Sequence, residues 1–127
     1  MADDDQRVYY VSGPYSARWE SQITDNIERA RRAALVLWQQ GHAVICPHLN
    51  TERFSEGDGI DYLTGYLTIL SRLIAGHDVI YMLRGWQHSK GACAELRVAV
   101  RLGLLVEFAD GAKVVDPVEW ASEESRG

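Results

Sequence analysis

The strongest constraint on the fold is the alternation of short apolar runs with longer amphipathic ones along the chain. The apolar runs are continuous, which is typical of parallel strands that are covered on both faces. Between them, apolar residues recur at helical spacing. The sequence therefore predicts a Rossmann-like (flavodoxin-like) doubly wound parallel sheet in a three-layer α/β/α domain. The predicted strands are Arg7–Ser12, Ala43–Cys46, Val79–Leu83 and Leu104–Phe108, and the predicted helices cover about 21–40, about 61–75 and a run that contains Glu95 and ends near Leu102.

The expected strand order places two unusual loops across one crevice. The right-handed crossover rule favours the order 2-1-3-4, and ligands bind at the carboxyl ends beside the switch point between strands 1 and 3. Ser12-Gly13-Pro14-Tyr15 ends strand 1 and the segment 85–91 ends strand 3, so we expect the two loops to face each other. Pro47-His48-Leu49-Asn50, after strand 2, is expected to line the rim.

Length and composition favour one globular domain. The chain has 127 residues, 46% hydrophobic and 24% charged, so we expect a single domain over 1–127, with a core at about 7–110 and a frayed tail at about 122–127. The formal charge of -5 argues against binding to nucleic acid polymers or membrane surfaces, although it permits a local pocket for a small anion. No apolar run approaches the ~20 residues that span a bilayer. Residues 1–5 are the reverse of a basic signal-peptide start, so a cytoplasmic location is expected.

Several common chemistries lack their motifs. Cys46 and Cys93 have no metal-type spacing and the four histidines are scattered singly, so no metal is predicted. Gly-x-Gly-x-x-Gly and Gly-Lys-Ser/Thr are absent, which counts against a dinucleotide cofactor and against triphosphate hydrolysis. Gly-x-Ser-x-Gly is also absent. No cofactor is predicted.

Glu95 is the main candidate for chemistry. At ~100° per residue it falls beside the apolar face of its helix, whereas Arg97 and Arg101 fall on the other side. A carboxylate at an apolar boundary is costly unless it has a function or a partner.

Ser89-Lys90-Gly91 opens the same helix, where backbone N–H groups and the helix dipole favour an anion such as phosphate. Ser89 is equally suited to cap the helix, and the two roles are compatible. Gly91 allows a ligand to approach or simply relieves a turn. A carboxylate a turn and a half below the helix start lies some ~8 Å from such a phosphate, roughly the span of a ribose 5′-phosphate. That arrangement favours cleavage at an anomeric carbon, where a carboxylate stabilises or traps an oxocarbenium-like centre.

Aromatic residues cluster beside the predicted crevice, where flat rings suit a nucleobase. Strand alternation puts Tyr9 and Tyr10 on opposite faces, so at least one of them is expected in the core. Tyr15 and Trp86 are the better candidates for stacking.

These motifs resemble the nucleoside 2-deoxyribosyltransferase superfamily, which includes the nucleoside 5′-monophosphate N-glycosidases, and within it a small branch of unassigned function. In that superfamily a Ser/Asp-x-Gly-x-x-x-Glu stretch carries the nucleophile. Here the stretch reads Ser89-Lys90-Gly91-Ala92-Cys93-Ala94-Glu95. The resemblance extends to Val8–Tyr15, Asn26-Ile27, Gly41-His42, Pro47–Thr51 and Gly85-Trp86.

The resemblance implies a role for each matching residue. Glu95 would be the nucleophile, Ser89 and Gly91 would hold the 5′ end, and Gly13-Pro14-Tyr15 would contact sugar and base. Relatives usually carry an aspartate early in the helix before strand 3, but the corresponding positions here are Leu70 or Tyr66. Asp58 and Asp61 lie nearby in sequence and are candidates to replace that aspartate.

The resulting hypothesis is an N-glycosidase acting on a (deoxy)nucleoside 5′-monophosphate. The alternatives are a nucleoside 2-deoxyribosyltransferase and a nucleotide-binding module without turnover. A homodimer or higher homo-oligomer is implied by the resemblance. The candidate catalytic residues are Glu95, Tyr66 and Tyr9, and the candidate substrate-binding residues are Ser12, Gly13, Pro14, Tyr15, His48, Asn50, Trp86, Ser89, Lys90 and Gly91.

Overall fold

The sheet has four parallel strands in the order that the sequence predicts. The computed structural model describes residues 6–52, 54, 58–113 and 115–126. Its strands are β1 (Val8–Ser12), β2 (Ala43–Ile45), β3 (Val79–Met82) and β4 (Leu105–Phe108). They pair as β2-β1-β3-β4, all parallel. The predicted fold class and strand order are confirmed. Residues 1–5 and 127, on which the expectations for the two termini partly rest, lie outside the described residues.

Helices cover both faces of the sheet. They are α1 (Glu20–Gln39), α2 (Pro47–Asn50), α3 (Tyr62–Leu70), α4 (Lys90–Leu102) and α5 (Pro117–Arg126). No helix in the described part of the chain is long and apolar enough to cross a membrane.

Strand alternation divides the interior into two cores. Tyr9 and Val11 of β1 pack in one core with the α1 residues Ala30, Ala34 and Leu37. Burial of an aliphatic side chain stabilises a fold by roughly 1.5–3 kcal/mol, so these contacts hold α1 on its face of the sheet.

The second core lies on the opposite face. Tyr10 of β1 and Ile80 and Met82 of β3 pack there with Leu96 and Ala99 of α4. Because side chains alternate along a strand, Tyr10 and Ser12 face α4, whereas Tyr9 and Val11 face α1.

Two predicted boundaries need correction. The third strand is preceded by a helix that ends at Leu70, not near residue 75, because the chain turns there and the Ile74 N–H donates to Asp78 Oδ2 at 2.7 Å. Pro47–Asn50, expected as a strand exit, forms the short helix α2 with Pro47 at its start, where its fixed φ is favourable.

Helix α5 was not predicted from the sequence, and it runs through residues 122–126 of the segment expected to fray. Its Trp120 ring meets Trp86 edge-on, with the ring centroids 5.1 Å apart. Trp38, near the end of α1, is 55% exposed.

Candidate functional site

The turns after β1 and β3 touch each other at the carboxyl edge of the sheet. The Leu83 N–H donates to the Ser12 carbonyl at 2.8 Å. A Cβ atom at Gly13 would lie 2.7 Å from the Leu83 Cβ, and one at Gly85, where φ is +88°, would lie 3.3 Å from the Pro14 ring. Glycine at these two positions therefore lets the turns close on each other at the switch point.

Glu95 lies on the buried face of α4, level with Ala92, Leu96 and Ala99. Only 8% of its surface is exposed. Its Oε2 accepts a hydrogen bond from the Tyr10 hydroxyl, and its Oε1 accepts one from Ser12 Oγ at 2.9 Å. Each carboxylate oxygen thus has one hydroxyl donor from β1.

Burial and hydrogen bonding act on this carboxyl in opposite directions. Burial raises the pKa of Glu95, the hydroxyls of Tyr10 and Ser12 lower it, and burial prevails. The pKa of Tyr10 is strongly raised by burial and by the Glu95 charge. Tyr10 therefore stays protonated and acts as a donor whenever Glu95 is ionised.

Tyr66 of α3 stands behind this pair. Its ring meets the Tyr10 ring edge-on, with centroids 6.5 Å apart. Its hydroxyl lies 2.7 Å from Thr51 Oγ1 and donates to the Pro47 carbonyl at 3.2 Å. Tyr66 thus contacts Tyr10, the hydroxyl donor to Glu95, and links α3 to α2.

His48 joins α2 to the turn after β1. It is 4% exposed, and its Nε2 lies 2.8 Å from the Pro14 carbonyl, to which it donates. Burial lowers the pKa of His48, and the Pro14 hydrogen bond only partly offsets this. The Tyr15 ring packs edge-on against the imidazole, with centroids 5.7 Å apart, so the structure brings His48 and Tyr15 into contact.

Ser89 caps α4. The Ala92 N–H donates to Ser89 Oγ at 3.2 Å, while Lys90 and Gly91 are exposed. The capping role proposed for Ser89 is therefore present. The backbone N–H groups at the start of this 13-residue helix also form the positive end of its dipole.

Two of the candidates point away from Glu95. Trp86 is fully buried and its Nε1 donates to the Ala112 carbonyl at 2.9 Å. Its ring therefore has no exposed face on which a base could stack. The Tyr9 hydroxyl donates to Glu107 Oε2 at 2.9 Å on the α1 side of the sheet, so Tyr9 does not join Glu95.

Asn50 also lies apart from the Glu95 pair. It is exposed and lines, with Leu35, Trp38 and Leu49, an apolar groove of about 680 Å³ beside the edge strand β2.

The nearby aspartates have different surroundings. Asp61 caps α3, because its carboxylate accepts hydrogen bonds from the Thr64 N–H at 3.0 Å and the Thr64 hydroxyl at 2.7 Å. Asp58 is exposed. Burial raises the pKa of Tyr62, and the negative charge of Asp58 adds to that rise. Within the described ranges, no three His, Cys, Asp or Glu side chains converge as metal ligands.

The partnership of Tyr10 with Glu95 was missed in the sequence, although a signal for it exists. Tyr10 and Ser12 are two residues apart on one strand and therefore share a face. The second turn of α4, the helix that follows β3, brings Glu95 to that face.

The sheet order β2-β1-β3-β4 with helices on both faces makes this a doubly wound α/β domain, a fold that it shares with a solved enzyme structure. A solved structure of the 2-deoxyribosyltransferase from the psychrotolerant bacterium Bacillus psychrosaccharolyticus matches with a TM-score of 0.61 at 18% identity. The match covers 86% of this chain and 77% of that one, and it confirms the resemblance at the level of fold. Residues 7–108 match the family described as Domain of unknown function (DUF4406), and the chain belongs to that family. No curated protein matches the sequence.

Proposed function

We propose that the protein is an N-glycosidase that hydrolyses the N-glycosidic bond of a (deoxy)nucleoside 5′-monophosphate. The observation that carries the proposal is Glu95, a buried carboxylate held by two hydroxyl donors near the carboxyl edge of the sheet. A carboxylate kept in place by neutral donors is suited to attack an anomeric carbon.

The chemistry follows from that geometry. A Glu95 oxygen forms a bond to C1′ as the C1′–N bond breaks, and the bonding electron pair leaves with the base, which takes up a proton. Water then attacks C1′ and gives up a proton, which balances the one taken up by the base, while the bond from C1′ to the Glu95 oxygen breaks; this releases the sugar phosphate and restores the Glu95 carboxylate. Tyr10 and Ser12 hold the carboxylate through both steps.

The start of α4 supports a phosphorylated substrate. Ser89, Lys90 and Gly91 lie about a turn and a half above Glu95, a rise of some ~8 Å. The helix dipole and the Lys90 charge favour a 5′-phosphate there. Tyr15 and His48, at the rim, would border the base.

Base release tests the proposal directly. The protein is incubated with a panel of ribo- and deoxyribonucleoside 5′-monophosphates and the matching nucleosides, and the products are separated by chromatography. Wild type is expected to release base from at least one nucleotide, and Glu95→Gln is expected to release none. Glu107→Gln is the matched control, because Glu107 also accepts a tyrosine hydroxyl, but on the other face of the sheet. Equal release by wild type and Glu95→Gln would refute the proposal.

Two alternatives remain as outcomes of the same assay. Adding a second free base would reveal transfer, as a deoxyribosyltransferase performs, because water and the base compete for one glycosyl intermediate. A binding module without turnover is favoured because neither Leu70 nor Tyr66, the two positions that correspond to the aspartate of relatives, is a carboxylate, and the Tyr66 hydroxyl is engaged by Thr51 and Pro47. Tight binding of an intact nucleotide with no base released would establish that alternative.

We also propose a homodimer or higher homo-oligomer in the cytoplasm. The exposed apolar side chains of Leu35, Trp38 and Leu49 around the groove beside β2 support self-association. Light scattering after size-exclusion chromatography would give the mass, and Trp38→Glu is expected to lower it if this face is the contact.

A further inference from the structure

Ser12 is fixed in place at the carboxyl end of β1. It is the last residue of that strand and pairs with Met82 of β3, while its carbonyl accepts the Leu83 N–H at 2.8 Å. Its side chain is 1% exposed, and its hydroxyl donates to Glu95 Oε1 at 2.9 Å. A hydroxyl that is buried and already donating to Glu95 is poorly placed to bind a ligand as well.

The surroundings of Glu95 make the hydrogen bond from the Ser12 hydroxyl important for the ionisation of this carboxyl. The hydroxyls of Tyr10 and Ser12 are the hydrogen-bond donors that act on the Glu95 carboxyl, and Tyr66 and Cys46 lie near Tyr10; none of these groups is a cation. The two hydroxyl donors therefore stabilise the charged form of Glu95, which burial disfavours.

We infer that Ser12 is a positioning residue that holds Glu95 and favours its ionised form, and that it is not a direct contact to the substrate. The Tyr10 hydroxyl, within the core, donates to Oε2 of Glu95, and the Ser12 hydroxyl, at the carboxyl end of the same strand, donates to Oε1. The kinetic consequence rests on the proposed function, whereas the effect of Ser12 on the ionisation of Glu95 does not.

The ionisation is measured without any assay of activity. Protein labelled with ¹³C at the glutamate carboxyls is titrated by NMR, and the Glu95 signal is identified by its loss in Glu95→Gln. In Ser12→Ala the Glu95 carboxyl is expected to titrate at a higher pH than in wild type. Ser12→Cys, which nearly preserves the volume and keeps a weaker donor, is expected to give a smaller change in the same direction. Ser16→Ala, at an exposed serine, is expected to leave the titration unchanged.

Kinetics separate positioning from substrate binding. Ser12→Ala is expected to lower kcat about tenfold on the acid side of the pH profile, the size of one lost hydrogen bond to a charged group. The rate should recover towards that of wild type at high pH, with KM within twofold throughout. An unchanged Glu95 titration together with a raised KM would overturn the inference in favour of a substrate contact. If wild type releases no base, the proposed function fails, and the NMR titration still decides the role of Ser12.

Discussion

Two buried carboxylates in this small domain have opposite electrostatic environments. Asp78 is 3% exposed and Glu95 is 8% exposed. Asp78 accepts backbone N–H groups from Val8 at 3.0 Å and Ile74 at 2.7 Å, and its Oδ1 lies 3.1 Å from His77 Nδ1. Glu95 accepts only side-chain hydroxyls among its described partners.

Burial and hydrogen bonding therefore shift the pKa values of the two carboxyls in opposite directions. For Asp78, burial raises the pKa, but the hydrogen bonds from Val8, Ile74 and His77 together outweigh burial and the pKa is lowered. For Glu95, burial outweighs the hydroxyl donors and the pKa is raised. Asp78 is a structural tie between β1 and the turn before β3, whereas Glu95 is held at a cost in stability, which is typical of a functional group.

The largest effect is expected at Glu95 itself. Glu95→Gln should lower base release by roughly 10³-fold or more, because the amide cannot act as the nucleophile. A raised pKa in the folded state means that the stabilising contribution of the acid is fully present below its unfolded pKa of ~4.3 and is lost as pH rises through the folded pKa. Glu95→Gln should therefore be at least as stable as wild type at pH 7, and the difference should vanish in acid. Base-release assays and urea unfolding at both pH values check these outcomes.

Asp78→Asn should show the reverse pattern. The new amide cannot accept both backbone N–H groups, so we expect the free energy of unfolding to fall by about 2–3 kcal/mol. Because the folded pKa of Asp78 is lowered, its contribution is present above the unfolded pKa of ~3.9 and is lost as pH falls through the folded pKa. Urea unfolding from pH 7 to pH 3 should show the difference between variant and wild type shrinking in acid. Asp61→Asn, which keeps a side chain able to cap α3, is the control with little expected change.

The two tyrosines of β1 sharpen the comparison further. Tyr10→Phe removes one donor from Glu95 and should lower base release by about 10- to 100-fold, with the acid limb of the pH profile moved upwards. Tyr9→Phe removes a donor from Glu107 on the other face and should leave that profile in place. Loss of activity in Tyr9→Phe alone would mean that the chemistry lies on the α1 side of the sheet.

Much of this arrangement follows from local sequence pattern. The alternation of apolar and amphipathic runs predicts four parallel strands, their order and the meeting of the turns at Gly13 and Gly85 at one edge of the sheet. The helical period also predicts that Glu95 turns inward. These features depend on residue spacing, which the sequence contains directly.

The remaining features depend on contacts between distant residues. Trp86 follows a turn that suits a crevice, but its ring is buried against Trp120 of α5, a helix with few apolar residues to mark it. Tyr10 and Glu95 are 85 positions apart, so their hydrogen bond and the resulting pKa balance require the packed structure.

The smallest effect is expected at the cap of α4. Ser89→Ala should cost about 1 kcal/mol of stability through the lost cap. Ser89→Asp should keep the cap and the stability, but the added negative charge should raise KM for a 5′-monophosphate several-fold and leave that for the matching nucleoside unaffected. If Ser89→Asp changed KM equally for nucleotide and nucleoside, Ser89 would act only as the cap of α4.

The most direct test of the central claim is the mass of the protein after reaction with a 2′-fluoro nucleotide, whose sugar slows hydrolysis of a glycosyl ester by destabilising the oxocarbenium-like transition state. After rapid quenching in acid, mass spectrometry should show one added sugar phosphate, and peptide mapping should place it on Glu95. An adduct on a different residue, or base release by a Glu95→Gln protein at the wild-type rate, would contradict the role assigned to Glu95.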